Sequence, residues 1–239
     1  APKPDDIVTN QLLITVSDVS DAIRASDLQT LDITEKANKT KVVFADAFAN
    51  VEIIVKDGGT GVFGTQVRDP ITGAHIFLAD GGTLKFLEGF KFIDQAVVMT
   101  GAGDRAVFKS NKIKDGLVEL EAGADKIAYR DSKLKDVEIR LGDDSVRDHA
   151  IFDRSTKVKD VVVKGFGYED RIKIGDTTYN RNELERIAKG DNAVRFDGVT
   201  VFLATSASDQ SAQLSAPAHS LLGSADAPLA FDVSPQSVI

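Results

Sequence analysis

A short phrase that recurs about every 21 residues constrains the fold of this chain more than any other feature. It ends in an aspartate, at Asp94, Asp115, Asp136 and Asp160, with spacings of 21, 21 and 24 positions. A short apolar run, a Gly/Asp turn and a second short apolar run follow each copy. Such short runs cannot form a stable sheet alone, but stacked copies let each strand pair in parallel with its neighbours. The repeat therefore predicts a mainly β protein, a two-sheet parallel β-solenoid with rungs of about 21 residues.

The pattern continues towards the N-terminus with less regular spacing. Apolar runs and Gly/Asp turns alternate in 42–59 and again in 76–86. The segment 18–31 instead has apolar residues at helical spacing, after Asp18 or Ser20 as a candidate N-cap. This spacing predicts a helix that covers the exposed end of the solenoid. A β-sandwich with irregular strands is the alternative fold, because short strands suit both architectures.

These patterns divide the chain into four segments. An N-terminal extension with the capping helix occupies 1–40, and the β-solenoid occupies 41–180. A short helix and a terminal hairpin form a cap in 181–204, and an extended Ser- and Ala-rich tail occupies 205–239. Apolar residues of successive rungs are expected to share one interior. The predicted interior residues are Val118, Leu120, Ile127, Ile139, Leu141, Ile151, Val161, Val163 and Ile172.

Composition excludes several classes of function. The chain has 29 Lys and Arg against 37 Asp and Glu, a formal net charge of −8, and no concentrated basic block. Nucleic acid is therefore not an expected partner, because phosphate binding needs clustered positive charge. No apolar run is long enough to predict a transmembrane helix. The absence of cysteine excludes disulfides, zinc–thiolate sites and thiol nucleophiles.

Two segments near the C-terminal end resemble a known module. The first is the sequence Gly-Phe-Gly-Tyr-Glu-Asp-Arg-Ile-Lys-Ile at 165–174, and the second is a short helix followed by a hairpin up to residue 203. Together they are similar to the segment that follows the glycine-rich repeats of hemolysin-type (RTX) proteins. The resemblance covers 94–204 and is closest over 161–203. It implies a protein exported by type I secretion, of the secreted or surface-layer kind.

The resemblance also raises calcium as a ligand, although the repeats here are degenerate. The family repeat Gly-Gly-x-Gly-x-Asp survives only as isolated Gly-x-Asp remnants, whereas calcium requires six to eight oxygen ligands. The alternative, which we favour, is that each aspartate caps its own turn through backbone hydrogen bonds, so that the protein has no resident cofactor. The candidate calcium ligands are Asp104, Asp125, Asp143, Asp144 and Asp170.

Catalytic motifs are weak in this sequence. His149 beside Asp148, with Arg147 and Tyr129 nearby in sequence, is the one cluster with the residue types of a polysaccharide-cleaving site. A lone histidine beside a turn aspartate is usually a solvated residue, so we expect no enzymatic activity. The lysines of the repeated phrase are interpreted as residues that keep the edge of the solenoid soluble.

The tail has no Lys or Arg and carries three prolines, so it buries too little to fold on its own. We expect it to dock in trans on the same chain or on another structural subunit. An uncleaved export signal is the alternative interpretation of the tail. The residues expected to contact the partner are Leu214, Leu221, Leu222, Leu229, Phe231, Val238 and Ile239.

The sequence thus predicts a non-enzymatic structural subunit of an exterior assembly, located outside the cell or on its surface. A virion component, such as a phage decoration or tail-associated protein, is a close alternative with the same physical requirements. A glycan-binding or glycan-cleaving β-solenoid is the third hypothesis.

Overall fold

The computed structural model describes residues 12–16, 22–25, 30–33, 40–44, 51–65, 68–142 and 145–203, and only the backbone in the first four of these ranges. These residues form 21 strands and one helix. In chain order they are β1 Leu12–Val16, β2 Ala22–Ala25, β3 Thr30–Ile33, β4 Thr40–Phe44, β5 Val51–Val55, β6 Thr60–Thr65, β7 Ile71–Thr72, β8 His75–Ala79, β9 Thr83–Phe86, β10 Lys91–Ile93, β11 Ala96–Thr100, β12 Arg105–Lys109, β13 Lys112–Leu120, β14 Lys126–Arg130, β15 Lys133–Leu141, β16 His149–Phe152, β17 Lys157–Phe166, β18 Arg171–Ile174, β19 Thr177–Tyr179, α1 Arg181–Ala188, β20 Ala193–Phe196 and β21 Val199–Leu203.

The strands form two mostly parallel sheets, and together they make a β-solenoid of about five turns. The larger sheet has the order β20-β21-β17-β15-β13-β11-β8-β5-β1-β3, and β7 and β10 extend it along the first part of β13. The smaller sheet has the order β19-β18-β16-β14-β12-β9-β6-β4-β2. Among the strands of the described residues, only the terminal pairs β18–β19 and β20–β21 are antiparallel. The predicted mainly β, two-sheet solenoid is confirmed.

Each long strand of the larger sheet bends at the aspartate of the repeated phrase. Asp94, Asp115, Asp136 and Asp160 all have φ between 53° and 55°, in the left-handed region. Aspartate is one of the few non-glycine residues that adopts this conformation at modest cost, because its short side chain can hydrogen-bond locally. The bend separates a short lysine-rich stretch from the main part of each strand, so the repeated aspartate is a corner residue.

The interior is filled by side chains of both sheets, including a column of stacked rings from the smaller sheet. Phe63, Phe86, Phe108, Tyr129 and Phe152 occupy equivalent register positions on successive rungs. Neighbouring ring centroids lie 5.3, 5.1, 5.4 and 5.6 Å apart, and the last three pairs are stacked. This separation is close to the spacing of paired strands, so in-register pairing itself brings the rings together.

The C-terminal cap agrees with the sequence pattern. Helix α1 begins after Asn180, whose side chain accepts a hydrogen bond from the backbone of Glu183, while the Glu183 side chain accepts one from the backbone of Asn180. This reciprocal capping box satisfies two N–H groups that the first helical turn leaves without intrahelical partners. Strand β21 then returns to pair in parallel with β17, so the hairpin continues the larger sheet.

Two expectations were wrong. The segment 18–31, expected to contain a capping helix, includes the strands β2 and β3. Both pair in parallel with neighbouring strands, and Ile23 aligns with Val42. Pairing with neighbouring strands overrides weak helical spacing over so short a segment. Strand pairing therefore begins before residue 41.

The second correction concerns Ile151, which was expected in the interior. The other eight predicted residues are buried there, but in β16 the inward residues are Ala150 and Phe152. Side chains alternate between the two faces of a strand, so Ile151 and its neighbour Phe152 cannot both point inward. The Phe152 ring takes the interior position. Ile151 therefore lies on the outer face.

Candidate functional site

A ladder of four aspartates lies at the corner where the chain passes from the larger to the smaller sheet. Asp104, Asp125, Asp148 and Asp170 each precede a strand of the smaller sheet and are at most 4% exposed. The Oδ1 atoms of Asp125, Asp148 and Asp170 each accept a hydrogen bond from the backbone N–H of the aspartate one rung earlier, at 2.8, 2.9 and 3.0 Å. We call this set the aspartate ladder.

The first member of the ladder shows why a carboxylate is needed at this corner. Asp104 Oδ1 accepts hydrogen bonds from the N–H groups of Gly81 and Gly82, at 2.9 and 2.6 Å, and Oδ2 accepts one from Thr100. Backbone donors at a buried corner lose their water and need another acceptor. Burial raises the pKa of the Asp104 carboxyl, while the donors from Gly82, Thr100 and Gly81 oppose that rise. The carboxylates therefore join consecutive rungs through charge-assisted hydrogen bonds.

The ladder bears directly on the calcium hypothesis. Three predicted ligands, Asp104, Asp125 and Asp170, are brought into one column, as a shared site would require. However, the Oδ1 atom of each carboxylate accepts backbone N–H groups, which is the geometry of a turn cap and a poor fit to a cation. Within the described ranges, no group of three His, Asp or Glu side chains is placed to hold a metal ion. Asp143 and Asp144 lie outside the described residues, so the calcium prediction stays open.

Sequence reasoning missed the ladder as a unit, although a signal was present. Each ladder aspartate is followed directly by a basic residue or a histidine at 105, 126, 149 and 171. These acidic–basic pairs recur at spacings of 21, 23 and 22, in step with the repeat. The aspartate points inward to the corner and the next residue points outward, because side chains alternate along a strand.

A second polar ladder joins the rungs at the corner that follows the smaller sheet. The side-chain oxygens of Asn111, Ser132 and Thr156 accept hydrogen bonds from the N–H groups of Phe90, Asn111 and Ser132, respectively. Asn111 and Ser132 are 1% exposed. Buried polar side chains at both corners thus form hydrogen bonds with the backbone of the neighbouring rung, and these bonds connect successive rungs.

The structure separates the residues of the candidate catalytic cluster. Tyr129 is fully buried among the stacked rings, and Asp148 belongs to the aspartate ladder. His149 points to the outer face of the smaller sheet, where burial and then the nearby Lys126, Lys173, Arg171 and Arg147 lower its pKa. Tyr129 and His149 therefore lie on opposite faces of the smaller sheet.

The outer face of the smaller sheet is basic, although the chain is acidic overall. In the smaller-sheet strands β6, β9, β12, β14, β16 and β18, outward positions hold seven Lys or Arg and one His, and none of them holds Asp or Glu. The eight residues are Lys85, Arg105, Lys109, Lys126, Arg130, His149, Arg171 and Lys173.

The lysines of the repeated phrase form a separate surface. Lys112, Lys133 and Lys157 align across β13, β15 and β17, and a second column of lysines lies beside them. In that second column the Nζ atoms of Lys114 and Lys135 lie 2.8 and 3.3 Å from the carboxylates of Asp115 and Asp136. Positive charge on this lysine edge is therefore partly balanced by the corner aspartates.

Comparisons of the chain with protein-family models, with curated proteins and with solved structures give no match. None of the helices found among the described residues has the length and apolar character needed to cross a membrane. The residues predicted to dock the tail, from Leu214 to Ile239, lie outside the described residues.

Proposed function

We propose that this chain is a non-enzymatic structural subunit of an exterior assembly, of the secreted or surface-layer kind. The observation that carries the proposal is the aspartate ladder, in which charged side chains suited to catalysis or metal binding serve as rung-to-rung connectors. The second polar ladder and the stacked rings act in the same direction. All three features connect neighbouring rungs along the stack, which suits a structural subunit.

The hemolysin-type relationship is part of this proposal. It is supported by the sequence from 161 to 203, where a rung, the capped helix α1 and the hairpin β20–β21 follow each other in the order the resemblance implies. The absence of cysteine and the acidic composition are compatible with a location outside the cytoplasm.

The tail supplies the proposed assembly contact. Its small apolar groups, separated by Pro and Ser, suit an extended segment that adds to a neighbouring subunit. Deletion of 205–239 is therefore expected to abolish assembly and leave the solenoid folded.

Light scattering and electron microscopy of the full chain and of the deletion variant test this proposal. Assembly by the full chain alone, with unchanged circular dichroism and melting temperature in the deletion variant, is the expected result. A full chain that stays monomeric over a wide concentration range, or a deletion variant that still assembles, would overturn it. A screen for depolymerisation of acidic glycans tests the enzymatic alternative, with Asp148→Asn and His149→Ala as controls. Turnover by the full chain that both variants lose would refute a purely structural role.

A further inference from the structure

The outer face of the smaller sheet has the shape of a shallow trough. Its floor is the column Val107, Ala128 and Ile151, which align on successive rungs. Val107 and Ala128 are 8% and 0% exposed, so this column offers almost no surface to a ligand, and contacts must come from the longer side chains on either side. One wall holds Arg105, Lys126, His149 and Arg171, and the other holds Lys109 and Arg130.

The positive charge of the trough is not neutralised within the described residues. Six of its basic side chains form no ion pair with any carboxylate of that part of the chain. They are Lys85, Arg105, Lys109, Lys126, Arg130 and Lys173. Asp153 follows β16 beside the second wall, but its carboxylate accepts hydrogen bonds from Thr156 and Asp131 at the corner. Like charges on adjacent rungs repel each other, so their alignment has a cost that a bound polyanion would relieve.

The spacing of the charges favours a linear ligand that lies along the solenoid axis. Successive rungs are about 4.8 Å apart, so the first wall presents a cation or a histidine at that interval over about four rungs. The two walls are about 13 Å apart, at positions four residues apart along each strand. An extended sugar chain with one carboxylate per residue repeats its charge on a similar scale, so its carboxylates can meet the basic side chains of successive rungs.

We propose that this trough binds a linear anionic polysaccharide, a polyuronate, with its carboxylates on the basic side chains of the two walls. The guanidinium groups of Arg105 and Arg130 are suited to bidentate contacts with carboxylates. Single-stranded nucleic acid fits less well, because no outward position of the smaller-sheet strands β6, β9, β12, β14, β16 and β18 holds an aromatic ring on which a base could stack. This inference does not depend on the assembly proposal.

Binding of the full chain to oligogalacturonate, measured by isothermal titration calorimetry, tests the proposal. The methyl-esterified oligomer, which keeps the sugar backbone without its charge, is the ligand control, and an oligothymidylate is the nucleic-acid control. We expect oligogalacturonate to bind with an affinity that falls as salt rises, and the ester to bind at least about tenfold more weakly. No binding of oligogalacturonate, equal binding of the ester, or tighter binding of oligothymidylate would overturn the proposal.

The double variant Lys126→Gln/Arg130→Gln removes one cation from each wall of a single rung. It is expected to weaken oligogalacturonate binding about tenfold or more, since each lost contact is charge-assisted. The matched control Lys133→Gln/Lys157→Gln removes the same charge from the lysine edge and is expected to change affinity by no more than about twofold. Equal losses in both variants would show diffuse attraction to the whole basic surface and would contradict a trough. Arg105→Gln/Lys109→Gln, on the preceding rung, repeats the test if the first variant is poorly folded.

Discussion

The hydroxyl of Tyr129 provides the sharpest test of the interior. The side chain is 0% exposed and stacks between Phe108 and Phe152, with ring centroids 5.4 and 5.6 Å away. Its Oη atom has no hydrogen-bond partner among the described residues, and burial raises the pKa of the phenol far above its usual value. Substitution by phenylalanine removes this buried polar atom and keeps the ring.

A buried hydroxyl without a partner costs about 1–3 kcal/mol of desolvation, and the small cavity left by its removal costs part of that gain. We therefore expect Tyr129→Phe to raise the free energy of unfolding by about 1 kcal/mol, which corresponds to a melting temperature about 2–4 °C higher for a domain of this size. Thermal and urea unfolding, followed by circular dichroism, measure both quantities.

Phe152→Tyr, on the next rung of the same stack, is the matched control. It adds a second hydroxyl to the same interior and is expected to lower stability by about 1–3 kcal/mol. A clear loss of stability in Tyr129→Phe would refute the reasoning, because it would mean that the hydroxyl makes a favourable hydrogen bond in solution.

Three further predictions concern the core, the corners and calcium. Ile139→Ala is expected to cost about 2–5 kcal/mol in chemical unfolding, whereas Ile151→Ala on the outer face is expected to cost about 1 kcal/mol or less; similar losses would contradict the assigned faces. At the corner residue Asp136, substitution by glycine is expected to change the free energy of unfolding by no more than about 0.5 kcal/mol. Substitution by valine, which adopts positive φ poorly, is expected to lower it by about 1–2 kcal/mol or more. A valine variant as stable as the glycine variant would argue against the left-handed corner. Melting curves in chelator and in millimolar calcium are expected to coincide, because the Asp125 carboxylate accepts the N–H of Asp104; a calcium-dependent rise that Asp125→Asn abolishes would establish a calcium site.

Local sequence patterns were enough to predict the solenoid and its C-terminal cap. The aspartates at 94, 115, 136 and 160 recur in phase with alternating apolar runs, and similar local sequences on successive rungs adopt the same left-handed corner. The helix after Asn180 was predictable because its capping box is formed by residues three positions apart. Both signals are short-range, so the sequence alone contains them.

The candidate sites depended on contacts between residues about 21 positions apart. The ladder aspartates were read one at a time as turn caps or calcium ligands, but each one bonds to the backbone of the preceding rung. The basic trough was hidden for the same reason: its charges are scattered in a chain of net charge −8 and form a surface only when the rungs stack.

The sequence by itself determined the rung length, the two-sheet architecture, the inward position of eight of the nine predicted interior residues and the cap of α1, because periodicity and local hydrogen bonding specify them. Only the tertiary structure decided which way Ile151 points and that 22–25 and 30–33 are strands, since pairing with neighbouring rungs outweighs local preference in short segments. It also decided which charges become neighbours, because strand register brings residues that are distant in sequence to within about 4.8 Å of each other along the axis.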